Sequence, residues 1–493
     1  MAEENLKRKV AVTIKWNVID KVASQLLYAV TGIVLARMLS HEDFGLVGAM
    51  LVFQAFATLF VDSGFSYALI QRKSPTRLDY STILWFNLGM AVAVYLILFF
   101  AAPLIADCFG GDERMIPLSR VMFLSFIVNA TAIVQTNRLM KQMDVKMIAV
   151  SNSVGLIASA VVGITLAVTG YGAWAIVWQT ITLAAIKSII LWGNSGWRPL
   201  MQFSWQSLRS FVRVGSGVMG SSFLNVLFQN IYAFFIGHSV GLAPLGYYTQ
   251  ADKWSKMGIA SLAQVLTSSF LPVLSKFQDD AAEFKRVVTK MNRVTAYLTF
   301  PAMGMLIVLA PAIFHTLFGT KWDDAIPLFQ ILLVRGVFTV LQSLYNNYVL
   351  ALGRARLLVF TELLRDGVAV AAIVVTLPFI GLSTPANRVL GLEIFLAGQL
   401  AASVVTWAAT LWITARLSNH SPLDYIRHLL PYLMETLLAM LLMIAVASLP
   451  LHPLALCLIE TLAGMGLYMG INAMLGSKVQ RDAINHLRHK EIA

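Results

Sequence analysis

The chain is 493 residues long, 58% hydrophobic and only 13% charged, whereas a soluble domain is about 45–50% apolar and about 25% charged. This excludes an ordinary soluble enzyme, and since a membrane-crossing helix takes roughly 20 mainly apolar residues, the composition feeds about fourteen spans at most. The net charge of +12, from 37 Lys+Arg against 25 Asp+Glu, then concerns membrane orientation before it concerns nucleic acid. Cys108 and Cys457 are the two cysteines, too few for a disulfide framework or a four-cysteine metal site.

Apolar runs broken by charges and turn residues predict an all-α polytopic membrane protein. The first six spans fall near 12–36, 44–66, 80–106, 115–136, 147–168 and 173–193. Six more follow near 212–237, 254–275, 293–318, 326–348, 357–380 and 391–414, and a final pair near 429–449 and 453–475. Lys7, Arg8 and Lys9 precede a first run that is too long for a signal sequence and has no small-residue cleavage site, so it reads as an uncleaved span. With that end inside, 25 of the 37 basic residues fall on the cytoplasmic side, which predicts a multi-pass membrane protein with both termini cytoplasmic. No Gly-Lys dipeptide occurs, hence no phosphate-cradling loop and no built-in ATPase, and His41-Glu42 is not followed by a zinc-helix spacing. No cofactor, metal or nucleic-acid partner is expected.

Two stretches about 208–210 residues apart match in order. Ala102-Pro103-Leu104-Ile105, Phe109-Gly110 and Ile116-Pro117-Leu118 correspond to Ala310-Pro311-Ala312-Ile313, Phe318-Gly319 and Ile326-Pro327-Leu328, and Asn137 corresponds to Asn347. Upstream, at an offset near 201, Phe44-Gly45 corresponds to Leu245-Gly246. An even number of spans per copy makes this a parallel repeat, a plan in which transporters bind substrate where the halves meet. The predicted organisation is an N-terminal lobe over 1–195, a cytoplasmic linker over 196–211, a C-terminal lobe over 212–416, and an added helix pair with a basic tail over 417–493.

Within the first span, Thr13, Asn17, Asp20, Lys21, Ser24, Gln25, Tyr28 and Thr31 recur at helical spacing on one side. Lys21 lies about 13 Å into a hydrocarbon layer about 30 Å thick, where insertion costs about 2.5–3.5 kcal/mol. It is therefore either half of an interhelical salt bridge or a contact for an anion in a cavity. Lys15, nearer the edge, can extend to water. The seventh span repeats the pattern with Arg213, Gly217, Ser221, Asn225, Gln229 and Tyr232. Asp62 on the second span reads as a gate ion pair or as an ion-coupling carboxylate. Lys253 and Lys256 on the eighth read as an anion-attracting pair or as interfacial residues. Arg335 on the tenth, with Glu362, Arg365 and Asp366 on the eleventh, reads as structural pairing.

Several runs carry a family resemblance: Lys15-Trp16, Val34-Leu35-Ala36-Arg37 to Phe44-Gly45-Leu46, Gly64-Phe65 to Ile70-Gln71-Arg72-Lys73, Phe270-Leu271-Pro272 to Phe277-Gln278-Asp279-Asp280, and Phe318-Gly319-Thr320-Lys321-Trp322 before Ile326-Pro327-Leu328. In these the chain resembles the Wzx-type exporters of the multidrug/oligosaccharidyl-lipid/polysaccharide (MOP) superfamily, closest to the colanic acid and teichuronic acid exporters. The resemblance implies a flippase that moves an undecaprenyl-diphosphate-linked oligosaccharide to the periplasmic leaflet by alternating access. It also implies a polysaccharide polymerase and export machinery as partners, and a proton or sodium ion as the coupling cation. On that reading Lys21, Arg213, Lys253 and Lys256 would meet the diphosphate and Asn17, Gln25, Asn225 and Gln229 the sugars, with Lys15, Asp20 and Asp62 at a gate or ion site. The alternatives are a drug/cation antiporter of the same fold, which would want an acidic cavity, and a membrane glycan polymerase or glycosyltransferase, for which the outer loops are too short.

Overall fold

The computed structural model describes residues 2–482 except 63, 275, 278, 279, 386, 418–420 and 450–452, together with 485. Gln278, Asp279 and most of the predicted basic tail therefore lie outside the described residues. Every predicted span is helical, and among the described residues there is no strand.

The chain packs as two compact units, Met1–Gly246 and Tyr247–Ala493. The first holds α1 (Ala2–Met38), α2 (His41–Asp62), α3 (Phe65–Gln71), α4 (Arg77–Cys108), α5 (Met115–Met122), α6 (Leu124–Lys141), α7 (Val145–Val168), α8 (Trp174–Asn194) and α9 (Trp205–Ser239). α10 (Leu242–Leu274) begins in the first unit and continues in the second. The second unit adds α11 (Ala281–Leu317), α12 (Ile326–Ala351), α13 (Ala355–Thr376), α14 (Leu390–Leu417), α15 (Pro422–Ala447) and α16 (Pro453–Met474). Among the described residues twelve helices are long and apolar enough to cross a membrane, so this is a multi-pass membrane protein. The other two of the fourteen expected spans correspond to α10 and α13, which carry Asp252, Lys253 and Lys256, and Glu362, Arg365 and Asp366.

In the first unit α7 packs on α8 and α1, α6 on α4 and α8, and α9 on α2, α3 and α4. α9, assigned from sequence to the second lobe, thus shares its contacts with the first unit. In the second unit α11 packs on α12, α15 and α16, while α14 packs on α12 and α13. The duplicated positions take corresponding places: Pro103 lies inside α4 and Pro311 inside α11. Gly110 and Gly319, just past those helices, have φ of 92° and 89°, a left-handed backbone that suits glycine.

The clearest mark of the repeat is a reciprocal close approach in the first unit. A Cβ on Gly45 would stand 1.9 Å from the carbonyl oxygen of Leu242, and one on Gly246 would stand 1.9 Å from that of His41. Gly45 and Gly246 are related by the sequence offset noted above, and so are His41 and Leu242.

The segment before α9 is fastened along the start of α4. Leu200 N–H donates to Ser81 Oγ at 2.9 Å, Ser204 N–H to Thr82 Oγ1 at 3.2 Å, and Trp85 Nε1 to the Leu200 carbonyl at 2.8 Å. Asp79 joins these parts. It closes a capping box with Thr76, accepts from Ser207 Oγ of α9, and pairs with Arg72 at 3.4 Å. Because Asp79 is only 4% exposed, Asp79→Ala leaves several donors without acceptors. We expect a loss of about 2–3 kcal/mol from the missing cap and unsatisfied groups, read as a lower unfolding temperature of the purified protein. An unchanged temperature would contradict this account of the junction.

Candidate functional site

The polar side of α1 resolves into two adjacent lines. Asp20, Ser24 and Thr31 turn toward protein: Asn152 Nδ2 on α7 donates to both Asp20 oxygens at 3.4 and 3.2 Å, and Ser24 Oγ donates to Asp20 Oδ1 at 3.4 Å. Thr31 is buried, its hydroxyl bonded to the Leu27 carbonyl at 2.7 Å. Lys187 on α8 interacts electrostatically with Asp20. Asn152 sits near the start of α7 and Lys187 near the end of α8, so the two helices bring an amide and an ammonium to one level beside one carboxylate.

The second line is open. Asn17, Lys21 and Tyr28 are exposed, with Gln25 half-buried beside them, and Lys15, two residues before Asn17, is exposed as well. Lys21 makes no ion pair among the described residues; of its two expected readings, the structure shows no salt bridge for it.

On α9, Arg213, Asn225 and Gln229 are also exposed, and Gln229 Nε2 donates to Asn225 Oδ1 at 2.5 Å. Tyr232 is turned into the core. On α1, Lys21 thus lies one turn from Asn17 and from Gln25, while on α9 Arg213 lies about three turns before Asn225 and about four before Gln229; ammonium, guanidinium and amide groups can donate to phosphate oxygens, and the amides can exchange hydrogen bonds with hydroxyls.

The carboxyl of Asp62 is held by a short relay: Asn137 Nδ2 donates to Ser66 Oγ at 2.7 Å, and Ser66 Oγ donates to Asp62. Gly64, with φ of 69°, makes the turn between Asp62 and Ser66. No cation pairs with Asp62 among the described residues.

In the second unit Lys256 is paired with Asp252 at 2.6 Å one turn back, so its charge is locally compensated. Lys253 is exposed and stands over the Trp254 ring at 5.5 Å. Arg365 is paired with Glu362 at 2.7 Å and Asp366 at 2.9 Å. Arg335 does not join them: among the described residues its Nε is buried without a hydrogen bond. A wholly apolar pocket of about 320 Å³ lies where α11, α12, α14 and α15 meet, with Phe300, Phe338, Trp407 and Leu433 in its walls.

Away from the spans, Arg114 holds the Asp112 carboxyl below the usual carboxylate range through a 2.7 Å ion pair. Among the described residues no group of three or more His, Cys, Asp or Glu is arranged to hold a metal.

Two site residues escaped the sequence reading. Lys187 lies within the predicted sixth span and Asn152 within the predicted fifth. The available signal was their nearly equal distance from the short turn region joining the ends of consecutive spans, which places them at one depth.

Two curated relatives cover most of this chain. The lipopolysaccharide biosynthesis protein WzxC of Escherichia coli (strain K12) is 26% identical over 432 residues, 84% of this chain and 86% of its own length. The teichuronic acid biosynthesis protein TuaB of Bacillus subtilis (strain 168) is 26% identical over 351 residues, 70% of this chain and 71% of its own. Among solved structures, the lipid II flippase MurJ in its inward closed conformation superposes with a TM-score of 0.70 at 15% identity, over 96% of this chain and 100% of that one. The Wzx-type resemblance read from the motifs agrees with these relatives, and the fold is that of the MOP transporters. Since residues 34–327, more than half of the sequence, match the polysaccharide biosynthesis protein family, the chain belongs to that family.

Proposed function

We propose that the protein is a lipid-linked oligosaccharide flippase of the bacterial inner membrane. It takes an undecaprenyl-diphosphate-linked oligosaccharide from the cytoplasmic leaflet and delivers it to the periplasmic leaflet by alternating access through a cationic cavity. The observation that carries this reading is the open polar line on α1, where Lys21, which makes no ion pair among the described residues, lies one turn from both Asn17 and Gln25, together with the exposed Arg213, Asn225 and Gln229 of α9. A diphosphate needs charge-assisted donors, and an oligosaccharide needs amides. The apolar pocket in the second unit suits a stretch of polyprenyl chain. A drug antiporter would present acidic groups in place of these cations.

Asp20 is the favoured ion-coupling group. Binding of the coupling ion at the Asp20 carboxylate would leave the Lys187 ammonium, which interacts with it electrostatically, available to an anion. In vesicles with an imposed pH gradient, the wild type moves a labelled undecaprenyl-diphosphate oligosaccharide faster with the gradient than without. Asp20→Asn is expected to lose that acceleration by about tenfold, equivalent to about 1.4 kcal/mol. No protein-dependent movement of the labelled lipid would defeat the flippase reading, and an undiminished response in Asp20→Asn would defeat the coupling role alone.

A further inference from the structure

Glu435 is left unused by the function proposed above. It lies midway along α15, whose other charged or titratable side chains, Asp424, Tyr425, Arg427, His428 and Tyr432, all lie nearer its N-terminal end, and it is 6% exposed. Its Oε2 accepts one hydrogen bond, from Asn472 Nδ2 of α16 at 2.5 Å. The same Nδ2 donates to the Tyr468 carbonyl at 3.0 Å, and these two acceptors fix which way the amide lies. Asn472 Oδ1 is consequently left buried with no hydrogen-bond partner.

No cation compensates Glu435. Among the described residues it makes no ion pair, and the titratable groups that act on it from neighbouring helices are Tyr297 of α11 and Tyr468 of α16. Tyr432, on its own helix, stands against the Tyr297 ring at 5.9 Å. α14 contributes no charged side chain between Glu393 and Arg416, and α16 contributes only Glu460, itself 1% exposed. A carboxylate placed here without a counter-charge costs far more than one neutral hydrogen bond returns.

A polar pocket of about 260 Å³ lies against the end of α16, with Asn472, Gly476, Ser477, Gln480 and Arg481 among its lining residues. Gln480 is also buried, at 6% exposure, with its Oε1 unpartnered.

We propose that Glu435 is a proton-binding site in the last helix pair, loaded and unloaded through the polar pocket at the foot of α16. The proton adds to Glu435 Oε1, so that hydronium and carboxylate become water and carboxylic acid, while Oε2 keeps its bond from Asn472. The ligand is a proton and not a metal ion, because the group facing Oε2 is an N–H donor and, among the described residues, no group of three or more His, Cys, Asp or Glu is arranged to hold a metal. This site is separate from Asp20 and does not depend on what the protein transports.

The test is infrared difference spectroscopy of the purified full chain, titrated from neutral to alkaline pH. The wild type is expected to show a protonated-carboxyl C=O band near neutral pH that is lost on alkalinisation and missing from Glu435→Gln. Asn472→Ala, which removes the hydrogen bond to Oε2, is expected to keep that band but shift its frequency. Because glutamine matches the neutral acid in shape, Glu435→Gln should also fold at wild-type yield and lose the wild type's alkaline drop in unfolding temperature. Identical carboxyl bands in Glu435→Gln and wild type, or an unshifted band in Asn472→Ala, would overturn the proposal. So would failure of Glu435→Gln to fold, since it would mean the negative charge is required.

Discussion

Arg213→Ala and Lys21→Ala are each expected to abolish glycan export while leaving the protein in the membrane at its normal level. Both residues are exposed and make no ion pair among the described residues, and truncating such a side chain usually changes stability by no more than about 0.5 kcal/mol. Against a diphosphate, each would supply charge-assisted hydrogen bonds worth about 1.5–3 kcal/mol, or about tenfold to hundredfold in transport through a step that depends on that contact. Arg213→Lys should recover only part of the loss, because lysine keeps the charge and lacks the planar fork that grips two oxygens at once. The measurement is restoration of the surface polysaccharide in an exporter-deficient strain, beside membrane abundance of each variant. Normal export by both alanine variants would remove the cationic cavity from the mechanism.

Gly45→Ala and Gly246→Ala should have the largest effect on folding. In each, the new methyl meets a backbone carbonyl oxygen at 1.9 Å, and a backbone oxygen cannot swing aside as a side-chain tip can. Relief requires the start of α2 and the start of α10 to part, so the cost is expected to exceed the about 1–3 kcal/mol of ordinary overpacking. Gly89→Ala supplies the contrast. It lies within α4, nothing stands within 4 Å of its added Cβ, and alanine there should gain roughly 0.5–1 kcal/mol. Unfolding temperatures of the three purified variants read this directly. If Gly45→Ala and Gly246→Ala melt with Gly89→Ala, the close crossing is not a feature of the protein.

Much of the fold was legible because a bilayer imposes a simple code: long apolar runs must be helical, and each expected span is helical, though the second and fourth are each divided into two helices. The break after Asp62 was harder to read. The second span appears continuous in hydropathy, and only the left-handed backbone at Gly64 shows that α2 stops and α3 starts afresh. The candidate site was half legible. Periodicity found the polar side of α1 but could not divide it into the line that Asn152 holds and the line that stays open, since that depends on where α7 packs. Lys256 looks available beside Lys253 in the sequence, but Asp252, one helical turn away, neutralises it. Lys187 was hidden for the opposite reason: its neighbours in α8 are apolar, and its partner is distant in sequence.

The place where the compact units divide also bears on how relatives of this protein can be recombined. The basic stretch before α9 looks like a natural splice point, yet it is bonded along α4, and α9 packs on the first unit. A hybrid joined there would carry a foreign α9 against the native α2, α3 and α4, and would have to rebuild the Asp79 junction from mismatched halves. A hybrid joined after Gly246, inside the continuous α10, inherits α9 and the paired glycine crossing intact. Segments exchanged among such exporters during evolution should therefore have their seams within that helix more often than in the loop that resembles a tether.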